Sequence, residues 1–191
     1  MTDLHYIYGQ MGSGKTSRAF KIINEFESLG KKVLVMKTTL DTRDFGKLVS
    51  RTGEQKECVL FDKETNLYEF YNSLHKNYDL VIIDECEFLT AMQVDQLALL
   101  SNNIKVICFG TILNYNGQYF EGTKRLTEVA NTKEEIVSKC KCGLNAELNA
   151  RIVNGKIFVD KTGICIGDIG DYEPMCLSCW RKKLSAQHNN E

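Results

Sequence analysis

The sequence predicts an α/β fold: a parallel sheet with helices on both faces, followed by a small cysteine-rich C-terminal unit. Three observations carry that prediction. The runs "LHYIY", "KVLVMK", "LVIID" and "KVICFG" (residues 4–8, 32–37, 80–84 and 105–110) are almost uninterruptedly apolar, as strands buried on both faces are. Helical patterns lie between them, which implies parallel βαβ units. Five of the 8 cysteines crowd residues 140–179, where the texture of the chain changes.

Residues 4–8 read as a strand that enters a glycine-rich turn. A helix is predicted over 15–29, with Ala19, Ile22, Ile23 and Phe26 on one face and Gly30 as its stop. The next strand spans 32–37, and the aperiodic polar stretch 38–53 reads as a mobile loop. "ECVLF" is a short strand and 67–74 a helix. After the strand 80–84, Thr90 and Gln93 have the spacing of a capping box, opening a helix that runs to Leu100. Near the end, Asn154-Gly155 between alternating apolar residues signals a hairpin. The predicted division is 1–135 for the nucleotide-binding unit, 136–184 for a zinc-ribbon-like unit and 185–191 for a disordered tail.

At 43% apolar residues over 191 positions, the chain can bury one ordinary core with a small appendage. A net charge of -1 offers no bulk attraction to nucleic acid or to a membrane surface. No apolar run approaches the roughly 18–20 residues that span a bilayer. The first residues pass straight into a strand without a basic-then-apolar leader, so a cytoplasmic location is expected. In that compartment, close cysteine pairs favour metal over disulfides.

Three motifs carry chemistry. "GQMGSGKT" (Gly9, Gln10, Met11, Gly12, Ser13, Gly14, Lys15, Thr16) matches G-x-x-x-x-G-K-[ST] between a strand and a helix. Its glycines let successive N–H groups point at phosphate oxygens, Lys15 reaches the outer phosphates of ATP, and the Thr16 hydroxyl can ligate Mg²⁺. The fold expected is therefore P-loop NTPase-like. "LVIIDE" supplies a strand-end carboxylate, Asp84, for Mg²⁺, with Glu85 one residue nearer the γ-phosphate. Cys140 and Cys142, with Cys176 and Cys179, form two close pairs around the hairpin, a set suited to a closed structural Zn²⁺ site. Cys165, between two isoleucines, reads as a packed side chain.

In this order the motifs resemble the P-loop thymidine kinases that carry a zinc domain, and the likeness covers nearly the whole chain. "GQMGSGKT" is similar to that family's phosphate loop, which implies Met11 beside the thymine methyl. "KTTLDTR" resembles the segment that directs Asp41 and Arg43 at the phosphates. "DECEF" resembles Asp-Glu-Ala-Gln-Phe, implying Glu85 as catalytic base and Phe88 as the ring stacked on the base. "NYNGQYF" implies Tyr115 and Phe120 as pocket residues. "ICIGDIGDYEPMCLSC" resembles the lasso, in which Gly163, Ile164, Cys165, Ile166 and Gly167 offer backbone groups and Tyr172 a side chain to the nucleoside. Asn149 falls in the nucleoside site by the same likeness, and a homotetramer and inhibition by the triphosphate end product are implied.

Departures from the family pattern are Glu87 for Gln, Thr111 for Leu, Asn114 for Asp, Asn149 for Thr and a shortened Cys-x-Cys knuckle. The reading is ATP-dependent phosphorylation of the 5′-hydroxyl of thymidine, a step of nucleoside salvage for DNA synthesis. Its alternatives are a kinase of another or modified pyrimidine deoxynucleoside, prompted by Glu87 and Asn149, and a nucleic-acid-stimulated ATPase with a zinc ribbon. The near-neutral charge and the lack of a basic, aromatic-interleaved stripe weigh against the last. Glu87 is expected to point away from the pocket.

Overall fold

The computed structural model describes residues 3–40, 46–163 and 171–188. Six strands form one all-parallel sheet in the order β5-β2-β6-β7-β1-β8: β1 Leu4–Gly9, β2 Val33–Thr38, β5 Val59–Phe61, β6 Leu80–Asp84, β7 Lys105–Gly110 and β8 Thr132–Ile136. Alternation along the central strands explains why they are apolar throughout. Leu34, Val81, Ile83, Val106 and Cys108 pack with α2 (Leu67–Ser73), α3 (Ala91–Leu100) and α4 (Glu121–Val129) on one face. Val33, Val35, Ile82, Ile107 and Phe109 pack against α1 (Lys15–Ser28) on the other. The two-sided α/β sheet that the sequence predicts is present.

α3 begins where the capping box places it: the Thr90 hydroxyl accepts from the Gln93 N–H, and the Gln93 side chain accepts from the Thr90 N–H. Within the stretch expected as an aperiodic loop, the described residues 46–53 hold ordered structure instead. β3 (Lys47–Val49) pairs antiparallel with β4 (Gln55–Glu57), because Leu48, buried at 1% exposure, joins Phe20 and Ile23 of α1 in the core.

β9 (Leu148–Val153), β10 (Lys156–Ile157) and β11 (Asp171–Met175) make a second, antiparallel sheet. Its Asn154-Gly155 turn has both residues at positive φ (51° and 76°), as a tight hairpin requires. The predicted disordered tail is corrected in part. α5 (Leu177–His188) continues through Ser185, and the Gln187 amide bridges both backbone groups of Ile157. No helix among the described residues is long and apolar enough to cross a membrane.

Gly110 ends β7 where the chain after β6 crosses above it. A Cβ there would collide with the Glu87 carboxylate and stand 2.7 Å from the Cys86 sulfur and 3.2 Å from the Glu87 backbone nitrogen. Gly110→Ala should therefore cost about 1–3 kcal/mol in chemical denaturation. Unchanged stability would show that the turn above Gly110 yields freely.

Candidate active site

Parallel strands deliver their carboxyl ends to one edge, and that edge gathers the candidate residues. β1 ends in Gly9 and opens the phosphate loop, which closes through a Ser13 N–H bond to the Gln10 carbonyl (3.0 Å). Gly12 and Gly14 take φ of 76° and 98°, conformations that side-chain-bearing residues avoid, and Lys15 starts α1. The Lys15 ammonium donates to the Gly9 and Gln10 carbonyls at 2.8 and 3.1 Å, folded back on its own loop. The Ser13 hydroxyl is buried and has no hydrogen-bond partner among the described residues. A glycine loop at a helix N-terminus, an unmet hydroxyl and an internally satisfied lysine fit a polyphosphate.

β6 ends in Asp84, separated from the phosphate loop's strand by β7 rather than adjacent to it. Burial, reinforced by the Glu85 charge, pushes the Asp84 carboxyl up to about 7, against the pull of Lys37 and Lys15. Lys37 opens the "KTTLDTR" segment, where the sequence reading gives it no role. It pairs with Asp84 in the β2–β6 register and is itself buried at 3% exposure. A lysine closing an otherwise apolar strand was the available signal. The hard oxygen donors Thr16 and Asp84 fit Mg²⁺.

Glu85 sits at φ 53°, ψ 44°, a left-handed position that reverses the chain into a 3₁₀ turn, Cys86–Phe88. That reversal buries Glu87 beneath the turn. Its carboxylate accepts the Thr111 N–H (3.3 Å) and hydroxyl (2.9 Å), while Tyr6 donates to the Thr111 carbonyl (3.1 Å). Glu87 thus faces the protein interior, and two of the departures from the family pattern, Glu87 and Thr111, satisfy each other. Burial, with the Glu85 charge second, holds the Glu87 carboxyl well above the usual carboxylate range.

The aromatic candidates fall into two groups. Phe88 meets Phe120 edge-on, ring centroids 6.0 Å apart. Tyr115 lies 6.5 Å from Tyr172 and 6.3 Å from Phe158, with the Arg151 guanidinium over both Tyr115 and Phe158. Asn114 keeps the turn-forming role an aspartate would have: its side-chain oxygen accepts the Asn116 and Gln118 N–H groups, both at 3.0 Å. Gly163, whose N–H bonds the Asp160 carboxylate, packs on the Asn114 amide.

Asn149, expected in the nucleoside site, stands beside Met11, another residue of that expected site. Its side-chain oxygen accepts the Met11 N–H (2.9 Å), and Gln10 donates to the Ala146 carbonyl (3.3 Å), so the second sheet is tied to the phosphate loop. Met11 itself is 39% exposed. Asp41, Arg43, Ile164, Cys165, Ile166 and Gly167 lie outside the described residues.

The sulfurs of Cys140, Cys142, Cys176 and Cys179 all lie within 4.8 Å of one another. Those of Cys142 and Cys176 are 3.7 Å apart, close to the roughly 3.8 Å edge of a tetrahedron with 2.3 Å metal–sulfur bonds. The cluster can hold a metal ion, and four thiolates fit Zn²⁺.

A phosphate loop and a strand-end acidic pair on the carboxyl edge of one parallel sheet place the chain in the P-loop class of nucleotide-using enzymes. The thymidine kinase family model matches residues 2–180. Thymidine kinases of Streptococcus pyogenes serotype M3 and Streptococcus agalactiae serotype Ia are 36% and 35% identical to it over 180 residues, covering 92% of this chain and 95% of theirs. The chain belongs to the thymidine kinase family and is an enzyme of that class.

Glu87 also sets a pH dependence. Its folded-state pKa lies above its unfolded value, so the stability it brings is present below the unfolded carboxylate range and is lost as pH rises from there. Glu87→Gln removes that loss. The thermal midpoint of the variant should exceed that of the parent at pH 8, by roughly 3 °C for each kcal/mol relieved, with the gap closing near pH 4–5. A variant less stable than the parent at pH 8 would contradict this.

Proposed function

We propose that this chain transfers the γ-phosphoryl group of ATP to the 5′-hydroxyl of thymidine, with Glu85 accepting the hydroxyl proton. The observation that carries the reading is the placement of Glu85. The left-handed turn at the end of β6 sets its carboxylate one residue beyond Asp84, at the edge that carries the phosphate loop. Family membership supports thymidine as the substrate.

The chain's own groups divide the work. N–H groups of Gly12, Gly14, Lys15 and Thr16 and the Lys15 ammonium hold the phosphates once the ammonium leaves the Gly9 and Gln10 carbonyls. Thr16 and Asp84 would hold Mg²⁺, which offsets charge on the transferring phosphoryl group. Asp41 and Arg43 are assigned to the phosphates by the same reading. Phe88, braced by Phe120, stacks on the base, while Tyr115, Tyr172 and the backbone of residues 163–167 enclose the nucleoside. Exclusion of water by that enclosure favours transfer over hydrolysis. Because Glu87 is buried and accepts two bonds from Thr111, the choice of base is left to other residues, which supports thymidine over an altered pyrimidine. A cytoplasmic homotetramer completes the proposal.

The test is a panel of deoxynucleosides assayed with ATP and Mg²⁺. Thymidine should give the highest kcat/KM, and Glu85→Gln should lower kcat by roughly 100-fold or more while ATP still binds. Near-normal turnover by that variant would remove Glu85 from the base role. Preference for another nucleoside would overturn the substrate.

Zn²⁺ is the metal proposed for the four cysteines, as a structural ion. Elemental analysis should find one zinc per chain, and Cys142→Ser should lower both zinc content and thermal midpoint. A full complement of zinc in that variant would exclude Cys142 as a ligand.

A further inference from the structure

The β3–β4 hairpin has a use that no motif announces. Its turn, residues 50–54, is cross-linked on itself. The Ser50 N–H bonds the Glu54 carbonyl at 2.9 Å, the Gly53 N–H bonds the Ser50 carbonyl at 3.0 Å, and the Glu54 N–H bonds the Ser50 hydroxyl at 3.0 Å. The Ser50 and Thr52 hydroxyls meet at 2.8 Å, and both reach the Glu54 carboxylate. The hairpin is fixed to the body as well. Leu48 is buried against α1 and Lys56 pairs with Glu27, while the Cys58 N–H bond to the Gly46 carbonyl extends the hairpin's own ladder.

One side chain of this rigid tip is left out of its network. Arg51 is exposed, and its side chain has no hydrogen-bond or ion-pair partner among the described residues. Yet its guanidinium lies against the phosphate loop at Gly12. An ideal Cβ on Gly12 would stand 3.0 Å from Nη2, 3.5 Å from Nη1 and 3.6 Å from Cζ. A cation with up to five donors is thus held at the one loop where an incoming ligand carries several negative charges. Gly12, at φ 76°, leaves the space that the guanidinium occupies.

We propose that Arg51 is a phosphate-contacting residue, delivered by the β3–β4 hairpin to the phosphate loop, where its guanidinium binds the outer phosphates of the nucleoside triphosphate. The hairpin is then the part of the fold that adds a second fixed cation beside Lys15. This rests on the kinase reading for the identity of the ligand, but not for its test.

The experiment compares the parent with Arg51→Gln and Arg51→Lys by calorimetric titration with ATP·Mg²⁺ and with AMP, alongside thermal unfolding and thymidine phosphorylation kinetics. Loss of a charge-assisted contact should weaken ATP binding roughly 10-fold or more in Arg51→Gln. AMP binding, the thymidine KM and the thermal midpoint should stay within about twofold or a degree of the parent. Arg51→Lys should recover part of the ATP affinity, because it restores the charge without the fork. Unchanged ATP affinity in Arg51→Gln would overturn the proposal. So would an equal loss for ATP and AMP together with a lowered midpoint, which is the signature of a merely structural hairpin residue. If the parent binds ATP but does not phosphorylate thymidine, the substrate reading fails while the binding comparison still decides the role of Arg51.

Discussion

Because β6 and β7 run in parallel register, with Ile83 beside Cys108, both chains leave the sheet at the same edge and compete for the space above it. The conflict is resolved by reversing one of them. Glu85 takes the left-handed conformation, Cys86–Phe88 folds over Gly110, and the next side chain that must go somewhere is a carboxylate. A buried carboxylate without donors would cost several kcal/mol. Thr111 supplies two, directly after the glycine that makes the approach possible. The position of Glu85 at the carboxyl edge of the sheet and the presentation of the Phe88 ring both follow from this one packed turn.

The same turn joins the sheet to the helices outside it. Gly122 in α4 sits so close to the Cys86 and Leu89 carbonyls that a Cβ would stand 2.8 and 2.5 Å from them. The Glu121 carboxylate at the start of α4 accepts the Ala91 N–H at the start of α3. The turn, α3 and α4 are therefore one packed unit, and the acidic edge is braced from outside as well as from the strand beneath.

Legibility in the sequence follows how locally each feature is determined. β6, β7 and the capped start of α3 are readable to the residue, since uninterrupted apolar runs and a Thr-x-x-Gln spacing need no distant partner. The phosphate loop is readable because its glycines answer a backbone demand within eight positions. β8 is not: "TKEEI" is an edge strand with β1 as its neighbour, so it carries the polar side chains that solvent allows. α4 buries only Gly122, Thr123 and Leu126, too few apolar residues to mark a face. The destination of Glu87 depends on Thr111, 24 positions away, and the docking of Arg51 on Gly12 depends on a hairpin held by one buried leucine and an ion pair to α1. Neither leaves a local periodicity.

Asn149 and Gln10 bind the second sheet to the phosphate loop by two hydrogen bonds, one from the Met11 N–H and one to the Ala146 carbonyl. The four-cysteine cluster ends the same sheet, with Cys176 directly following Met175 of β11. The cysteine cluster, which can hold a metal ion, and the phosphate loop thereby stand at opposite ends of one short mechanical path. Free energy passed along such a path is reciprocal. If occupancy of the cysteine cluster tightens the loop's grip on phosphate, then phosphate in the loop must hold the metal more firmly by the same factor, so that the two ligands guard each other against loss.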